Sequence, residues 1–524
     1  MPEKKTTSSS YLPHVARGAL INFSGLFARM AFVYVFTFLL ARVLPVDQVG
    51  QYFLMVTIVS LVGLAALVGL DYGVVRYVAL YAGEGRIAQA RQTLWASLVV
   101  GVPVGLVFMA AVIWQAPLIS KLFFGSAAGS VTALRFFALE IPLLVAARLF
   151  NVTTQGMHKM QYQVYSRDMG EQVLKVGFSA VVLALGAGLL GVVWANVVAV
   201  ALAAVLSLYY ALRVLTRAAG SIRTDAGTTN LPADNRESPP ESPAKAMLRY
   251  AYPLALANIM VALWLQVDTL MLGLLGTTED VGYYGVAIKV SLAGAKIITA
   301  FAIVFTPVIA DLWNRGKYDE LQKLYTTVSR WIFMLSFPLF LIMVFFSGPV
   351  MRIFGAGFTV AGGTLVILAV GQLMNASTGA AGIMVLMSGR SKLELLNVLS
   401  TLIVDTLLCY LLIPRYGLNG AAIANMTSLG LVNIMRIVEI KIFMHMFGYD
   451  RSYLKPVLAG LTGAIAGLFL SRVFFVNIGS KQLAVLAAAI LLFYVVTIIV
   501  LGLDENDKIV LKHFKARAAA QNSI

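Results

Sequence analysis

Charge is what this sequence has least of. Only 12% of its 524 residues are Asp, Glu, Lys or Arg, about half of the roughly 25% of a soluble domain. That is too little polar surface to keep a chain of this length in water. Cysteine is nearly absent: Cys409 stands alone, which excludes an intramolecular disulfide framework and offers no metal-ligand spacing. Histidine occurs only at His14, His158, His445 and His513, scattered along the chain. No HExxH, no glycine loop ending in a Walker lysine and no GxSxG is present, so no motif points to an ATPase, a zinc enzyme or a serine hydrolase. We expect no enzymatic reaction, no cofactor and no bound metal.

What fills the chain instead is apolar sequence, 60% of it, at a mean hydropathy of +0.85. A helix needs about 20 apolar residues to cross roughly 30 Å of hydrocarbon. By that measure the sequence predicts an all-α, polytopic membrane protein with 14 spans. Their approximate cores are 19–40, 52–70, 94–114, 133–154, 173–190 and 191–212, then 251–275, 286–309, 328–346, 363–387, 395–413 and 421–443, and finally 454–475 and 483–503. Spans 4 and 5 are interrupted by Arg135, Glu140, Arg148, Asp168, Glu171 and Lys175. The opening "MPEKKTTSSSYLPHVARG" is basic, but no small-residue cleavage site follows, so span 1 is expected to be retained.

The formal net charge of +16 would suit nucleic acid, yet the basic residues fall in short loops between spans, so no nucleic-acid partner is expected. With both termini cytoplasmic, inside loops hold about 25 Lys/Arg against about six outside, the asymmetry of a positive-inside topology.

"GLLGVVWAN" (188–196) returns as "GLNGAAIAN" (417–425), with five of nine letters shared. "VDQVGQY" (46–52) aligns with "TEDVGYY" (278–284), "GEGRIAQARQ" (83–92) with "NRGKYDELQK" (314–323), and "FFGSA" (123–127) with "IFGAG" (353–357). All keep their order at an offset near 230. The chain therefore reads as a duplicated six-helix unit: lobe 1 over 1–217, a Pro/Ser/Asp-rich cytoplasmic linker over 218–245, lobe 2 over 246–447, two added spans over 448–503 and a cytoplasmic tail over 504–524. Six is even, so the copies share one topology and relate by a pseudo-twofold axis along the membrane normal, as in rocking transporters. The repeated Gly and Ala suit close helix packing in lipid.

A charge at mid-bilayer costs at least about 2.5 kcal/mol and should face the interior or a partner. Arg29 in span 1, Arg148 in span 4, and Lys289 and Lys296 in span 8 are the candidate cavity cations; their excess over acids in those spans points to an anionic cargo. Lys289 lies near a helix end, where snorkelling is the alternative. Asp268 and Asp405 are candidates for ion coupling or for a structural ion pair. Asn22, Gln372 and Asn375 are candidates for polar cavity lining, with interhelical hydrogen bonding the alternative for the stripes Glu394–Asn397–Thr401–Asp405 and Gln372–Asn375. Asp71 and Arg76, in "LDYGVVRY", are expected at a membrane end as gate or loop contacts.

"ARVLPVDQVGQYFLMVTIVSLVGLAALVGLDYGVVRYVALYAGEGRIAQAR" (41–91), "QVDTLMLGLLGTTEDVGYYGVAIKV" (266–290) and "GRSKLELLNVLSTLIVDTLLCYLLIPRYGLNGAAIANMTS" (389–428) resemble the O-antigen (Wzx-type) polysaccharide flippases. Those belong to the multidrug/oligosaccharidyl-lipid/polysaccharide (MOP) exporter superfamily, and the resemblance covers nearly the whole chain. It implies a flippase that carries undecaprenyl-pyrophosphate-linked glycan across the bacterial inner membrane, alongside a polymerase and other polysaccharide-assembly proteins. It also implies that cations of spans 1 and 8 hold the pyrophosphate and that spans 13 and 14 form a groove for the lipid tail. Two lysines stand in span 8 where relatives carry an arginine, and a lysine cannot grip phosphate bidentately. The alternatives are a small-molecule antiporter of the same superfamily and a membrane glycosyltransferase using the same lipid donor. Antiporters of that kind usually have 12 spans and an acid in the first lobe, whereas span 1 carries Arg29. Such a transferase would need a large outer loop, and every outer loop is short.

Overall fold

The structure is a computed structural model that describes residues 11–125, 127, 129–225, 243–474 and 479–502. Every regular element among them is helical. Among the described residues, eleven helices are long and apolar enough to cross a membrane, and a broken pair makes a twelfth. The other two expected spans are span 1, in the helix Tyr11–Val43, and span 5, in the run Gln161–Ala184. Span 5 is displaced from its expected 173–190 because its first half is too charged to register as apolar. It opens with a π-helix, Val164–Glu171, that carries Arg167, Asp168 and Glu171. The chain is a multi-pass membrane protein.

The described residues form two compact units. One is Leu20–Gln266 with Thr277–Glu279; the other is Val267–Gly276 and the chain from Asp280, with the residues up to Ala19. We call them lobe 1 and lobe 2. Span 7 is broken: Pro243–Trp264 belongs to lobe 1 and Val267–Leu275 to lobe 2. In lobe 1 the Pro243–Trp264 helix meets the short helix Leu70–Gly83, where the Gly69 Cα approaches the Ala251 carbonyl so closely that a Cβ would lie 2.7 Å from it. Span 6 is one helix to Asp225, so the first residues of the expected linker continue a span, while 226–242 and the tail lie outside the described residues.

The repeated motif has a local cause. Gly188 and Gly417 open the sixth span of each lobe with φ of +58° and +55°, in the left-handed region open to glycine without strain. Neither has a neighbour that a Cβ would strike, so Gly188→Ala should cost only dihedral strain, about 1–2 kcal/mol. Gly417→Ala should cost somewhat more, because its ψ of −132° lies outside the left-handed helical well that alanine can enter. Gly420→Ala should cost clearly more, because its Cβ would sit 2.4 Å from the Leu412 carbonyl oxygen. Thermal unfolding in detergent checks that order.

Span 3 turns Val99, Val107 and Trp114 outward, all more than two-thirds exposed, an apolar face suited to lipid. Spans 13 and 14 (Leu454–Phe474 and Ser480–Leu501) pack on each other and on span 9, Tyr318–Phe345. There the Tyr494 hydroxyl donates to the Met334 carbonyl at 2.8 Å, and Gly460 lets Phe337 approach.

Candidate functional site

Each lobe buries a set of ionisable groups. In lobe 1 the π-helix supplies Arg167, Asp168 and Glu171. Its Ser166 hydroxyl donates to Asn151 Oδ1 on span 4 at 2.9 Å, which fixes the widened turn. Such turns are rare and often occur at functional sites. Arg29 donates to Asp168 at 3.1 Å, and the arginine side chain stays 45% exposed. Arg148 donates through Nε to Asp71 Oδ2 at 3.2 Å, and Asp71 is almost fully buried. Arg167 lies in the fields of Arg29, Arg148, Asp168 and Glu171. Lys175 lies in those of Glu140, Glu171 and Arg29. Its ammonium stands 4.7 Å from the Phe36 ring centroid and 5.5 Å from that of Tyr52. Glu140 is buried and accepts from Asn196 Nδ2 at 2.6 Å, while the Tyr52 hydroxyl donates to Asn196 Oδ1 at 3.2 Å.

The expected excess of cations is therefore not what lobe 1 shows. Arg29, Arg148, Arg167 and Lys175 meet Asp71, Glu140, Asp168 and Glu171, four against four. Of the counterions, Asp168 and Glu171 sit on span 5 and Asp71 on the Leu70–Gly83 helix, outside spans 1, 4 and 8, while Glu140 opens the helix of span 4. Asp71 is likewise more than a membrane-end contact: it is buried where Val68 and Gly69, both at positive φ, break the chain between two helices. Replacing it with alanine leaves Arg148 without its carboxylate. Loss of one partner of a buried pair costs about 3–5 kcal/mol, and the lower figure is expected because Arg148 keeps some access to water. A lowered unfolding midpoint that Arg148→Met restores would confirm it.

Lobe 2 buries two acids side by side. Asp268, on Val267–Leu275, accepts from the Tyr284 hydroxyl at 2.9 Å and from Asn425 Nδ2 at 2.7 Å. Asp405, on span 11, is wholly buried beside it. Cys409 Sγ lies 3.8 Å from a carboxylate oxygen of each, and ligating atoms of all three fall within 4.8 Å of one another. Asp405 Oδ2 and Asn425 Oδ1 have no hydrogen-bond partner. Asp268 and Asp405 thus stand together as an acid pair. Two negative charges this close in a dry interior call for a proton or a cation between them. An oxygen-rich set with one thiol suits a proton or a hard monovalent ion.

The remaining expected residues fall as follows. Lys289 and Lys296 are half-buried in lobe 2, and Lys289 Nζ donates to the Gly285 carbonyl at 3.2 Å. Arg29 and Arg148 are in the other lobe. Gln372 is buried in a small pocket with Ser291 and Ser336, its Oε1 unpaired. Asn375 accepts from Asn433 at 3.2 Å, a link between spans 10 and 12. Glu394 pairs with Arg436, and Asn397 donates to Glu439 at 2.9 Å, so those two residues of the span 11 stripe join helices. Asn22 has no described side chain. Arg167, Lys175 and Glu140 join the site without standing among the residues expected from sequence. Their signal was the four-residue spacing Arg167–Glu171–Lys175, which puts all three on one helical face.

Residues 15–313 match the family model described as polysaccharide biosynthesis protein, and 253–411 match that of MatE. No protein of curated function is significantly similar to the chain. Among solved structures, the lipid II flippase MurJ in an inward closed conformation is similar at a TM-score of 0.70 and 12% identity, covering 91% of this chain and 97% of that one. A multidrug resistance MATE family transporter of the MOP superfamily, inward-facing, is similar at 0.63 and 14% identity, covering 80% and 96%. A MOP superfamily transporter from Pyrococcus furiosus, whose binding pocket is described as of reverse polarity, is similar at 0.54 and 15% identity, covering 81% and 94%. The match over more than half of its length, on a fold shared with the flippases and transporters of the MOP superfamily, makes this chain a member of the polysaccharide biosynthesis protein family.

Proposed function

We propose that the protein is a flippase for undecaprenyl-pyrophosphate-linked oligosaccharide, carrying it from the cytoplasmic to the outer leaflet of the bacterial inner membrane by alternating access. The observation that carries this reading is the convergence of Arg29, Arg148, Arg167 and Lys175 in one membrane-embedded lobe of a polysaccharide-family chain. A pyrophosphate cannot cross bare hydrocarbon unpaired. Guanidinium groups are its natural partners, through bidentate hydrogen bonds. The resident carboxylates hold these cations until cargo arrives. Arg29, half exposed beside Asp168, is where exchange begins. The lipid tail, at about 0.8 kcal/mol per buried CH₂, stays in the bilayer, so only the headgroup passes through protein. Both termini face the cytoplasm in this reading, which the lysine and arginine asymmetry supports.

Export of negative charge from a negative interior gains about 2.3 kcal/mol per charge per 100 mV, so the membrane potential assists. The acid pair Asp268–Asp405 takes a proton or Na⁺ as coupling ion. A second reading is a small-molecule antiporter, and the MatE match favours it by spanning both acids. Proteoliposomes with a fluorescent undecaprenyl-pyrophosphate glycan decide: cargo should reach the outer leaflet faster under a potential, with no expulsion of a cationic dye. Dye expelled while the glycan stays put would establish the antiporter instead.

A further inference from the structure

Four positions of lobe 1 have counterparts in lobe 2, two of them with the residue kept and one with the charge reversed. Tyr52 and Tyr284 are equivalent by the repeat "VDQVGQY"/"TEDVGYY", and Asn196 and Asn425 by the closing letters of "GLLGVVWAN"/"GLNGAAIAN". Phe36 and Asp268 stand sixteen residues before their tyrosines. Lys175 and Asp405 are each the fifteenth residue of a span, counted from helix starts at Gln161 and Ser391. The contacts agree with the count, since Lys175 lies over the Tyr52 and Phe36 rings and Asp405 lies beside Asp268.

In both lobes the asparagine donates to a buried carboxylate, Glu140 at 2.6 Å and Asp268 at 2.7 Å. Two members differ: Phe36 stands where lobe 2 has Asp268, so lobe 1 draws its carboxylate, Glu140, from span 4, and the fourth member reverses its charge. Lobe 2 places an acid there, with one oxygen unpaired; lobe 1 places an ammonium, faced by Glu140, Glu171 and Arg29 and roofed by two aromatic rings. Aromatic faces attract cations within about 6 Å. A carboxylate, an amide and two ring faces form a cation site whether the cation is free or attached to the chain.

We propose that Lys175 is a tethered cation: its ammonium permanently fills, in lobe 1, the monovalent-cation site that lobe 2 leaves to an exchangeable ion at Asp268 and Asp405. This rests on the coupling-ion reading of that acid pair. It means that the duplicated site works once per cycle, with one lobe exchanging its ion and the other locked. It also means that removing the lysine side chain unmasks a second site, for Na⁺ or a small alkylammonium, on Glu140, Asn196, Phe36 and Tyr52.

The test uses the full chain in detergent, with Na⁺ or ethylammonium as probe and choline as a cation too bulky to enter. Equilibrium binding of radioactive sodium should rise from one ion in wild type to two in Lys175→Ala. The variant's unfolding midpoint, lowered in choline, should recover in sodium or ethylammonium. Adding Glu140→Gln should remove both effects. Asp405→Lys transplants the lobe 1 arrangement into lobe 2: it should bind no sodium and should unfold, in choline, no lower than wild type does in sodium. That arm carries the test if Lys175→Ala does not fold. A lysine variant with no added ion and no recovery by small cations overturns the proposal, as does an Asp405→Lys chain that still needs sodium. Wild type binding none while Lys175→Ala binds one would uphold the tethered cation and overturn the coupling role of lobe 2.

Discussion

Asp268→Asn is expected to abolish the dependence of flipping on an ion gradient while leaving the fold standing. The asparagine can still accept from the Tyr284 hydroxyl. Asn425 can turn its amide to meet the new NH₂ group, because its own Oδ1 is unpaired. What disappears is one of two negative charges. Loss of even an outer partner of a bound ion typically costs 10–100-fold in affinity, and a ligating carboxylate should cost at least that. Asp405→Asn should lose the ion to a similar extent and, like Asp268→Asn, removes the like-charge repulsion, but it sacrifices no charged acceptor of Tyr284 or Asn425, since Asp405 Oδ2 is unpaired. It is therefore expected to raise the unfolding midpoint in the absence of the ion. Flipping in proteoliposomes under imposed proton or sodium gradients, together with midpoints in choline, separates the two variants. Full gradient dependence in Asp268→Asn would assign the pair a purely structural role.

Arg29→Ala should lower flipping by roughly 10–100-fold, the equivalent of the 1.5–3 kcal/mol carried by a hydrogen bond to a charged group. Arg29→Lys should recover little of it, since a lysine offers a point charge in place of a planar fork. Asp168→Asn separates cargo binding from architecture. Arg29 then faces a neutral neighbour, so cargo should bind more tightly, and turnover should fall where release limits the cycle. If Asp168→Asn left cargo affinity unchanged while Arg29→Ala impaired it, Arg29 would act through a group other than Asp168. Binding of a short-chain diphosphate analogue to the purified variants, run beside the flipping assay, reads the two effects apart.

Much of the architecture was legible because its cause is local. A run of about 20 apolar residues is helical in lipid since no other conformation satisfies its backbone. The repeat was equally plain, and its opening glycine proves to be a backbone requirement at Gly188 and Gly417. Charged spans were harder to read. Span 5 is a helix whose polar half faces other charges, so hydropathy misplaced its start, and no periodicity announces a π-helix. Lobe 1's counterions were missed because pairing across 77 residues, as between Asp71 and Arg148, leaves no trace in either neighbourhood. Asp268 and Asp405 were each visible as deep acids, yet only the folded chain makes them a pair.

The break in span 7 bears on how this protein can be divided. A cut in the 226–242 segment looks like a cut between lobes, but the helix that follows it, Pro243–Trp264, has its packing partners in lobe 1. The amino-terminal fragment would lack a helix of its own compact unit, and the carboxy-terminal fragment would begin with one that has lost its seat. Two-fragment expression should therefore succeed only when both pieces are made together, and neither should be isolable alone as a stable half. Through that one helix, the first half of the duplication is completed by a segment of the second.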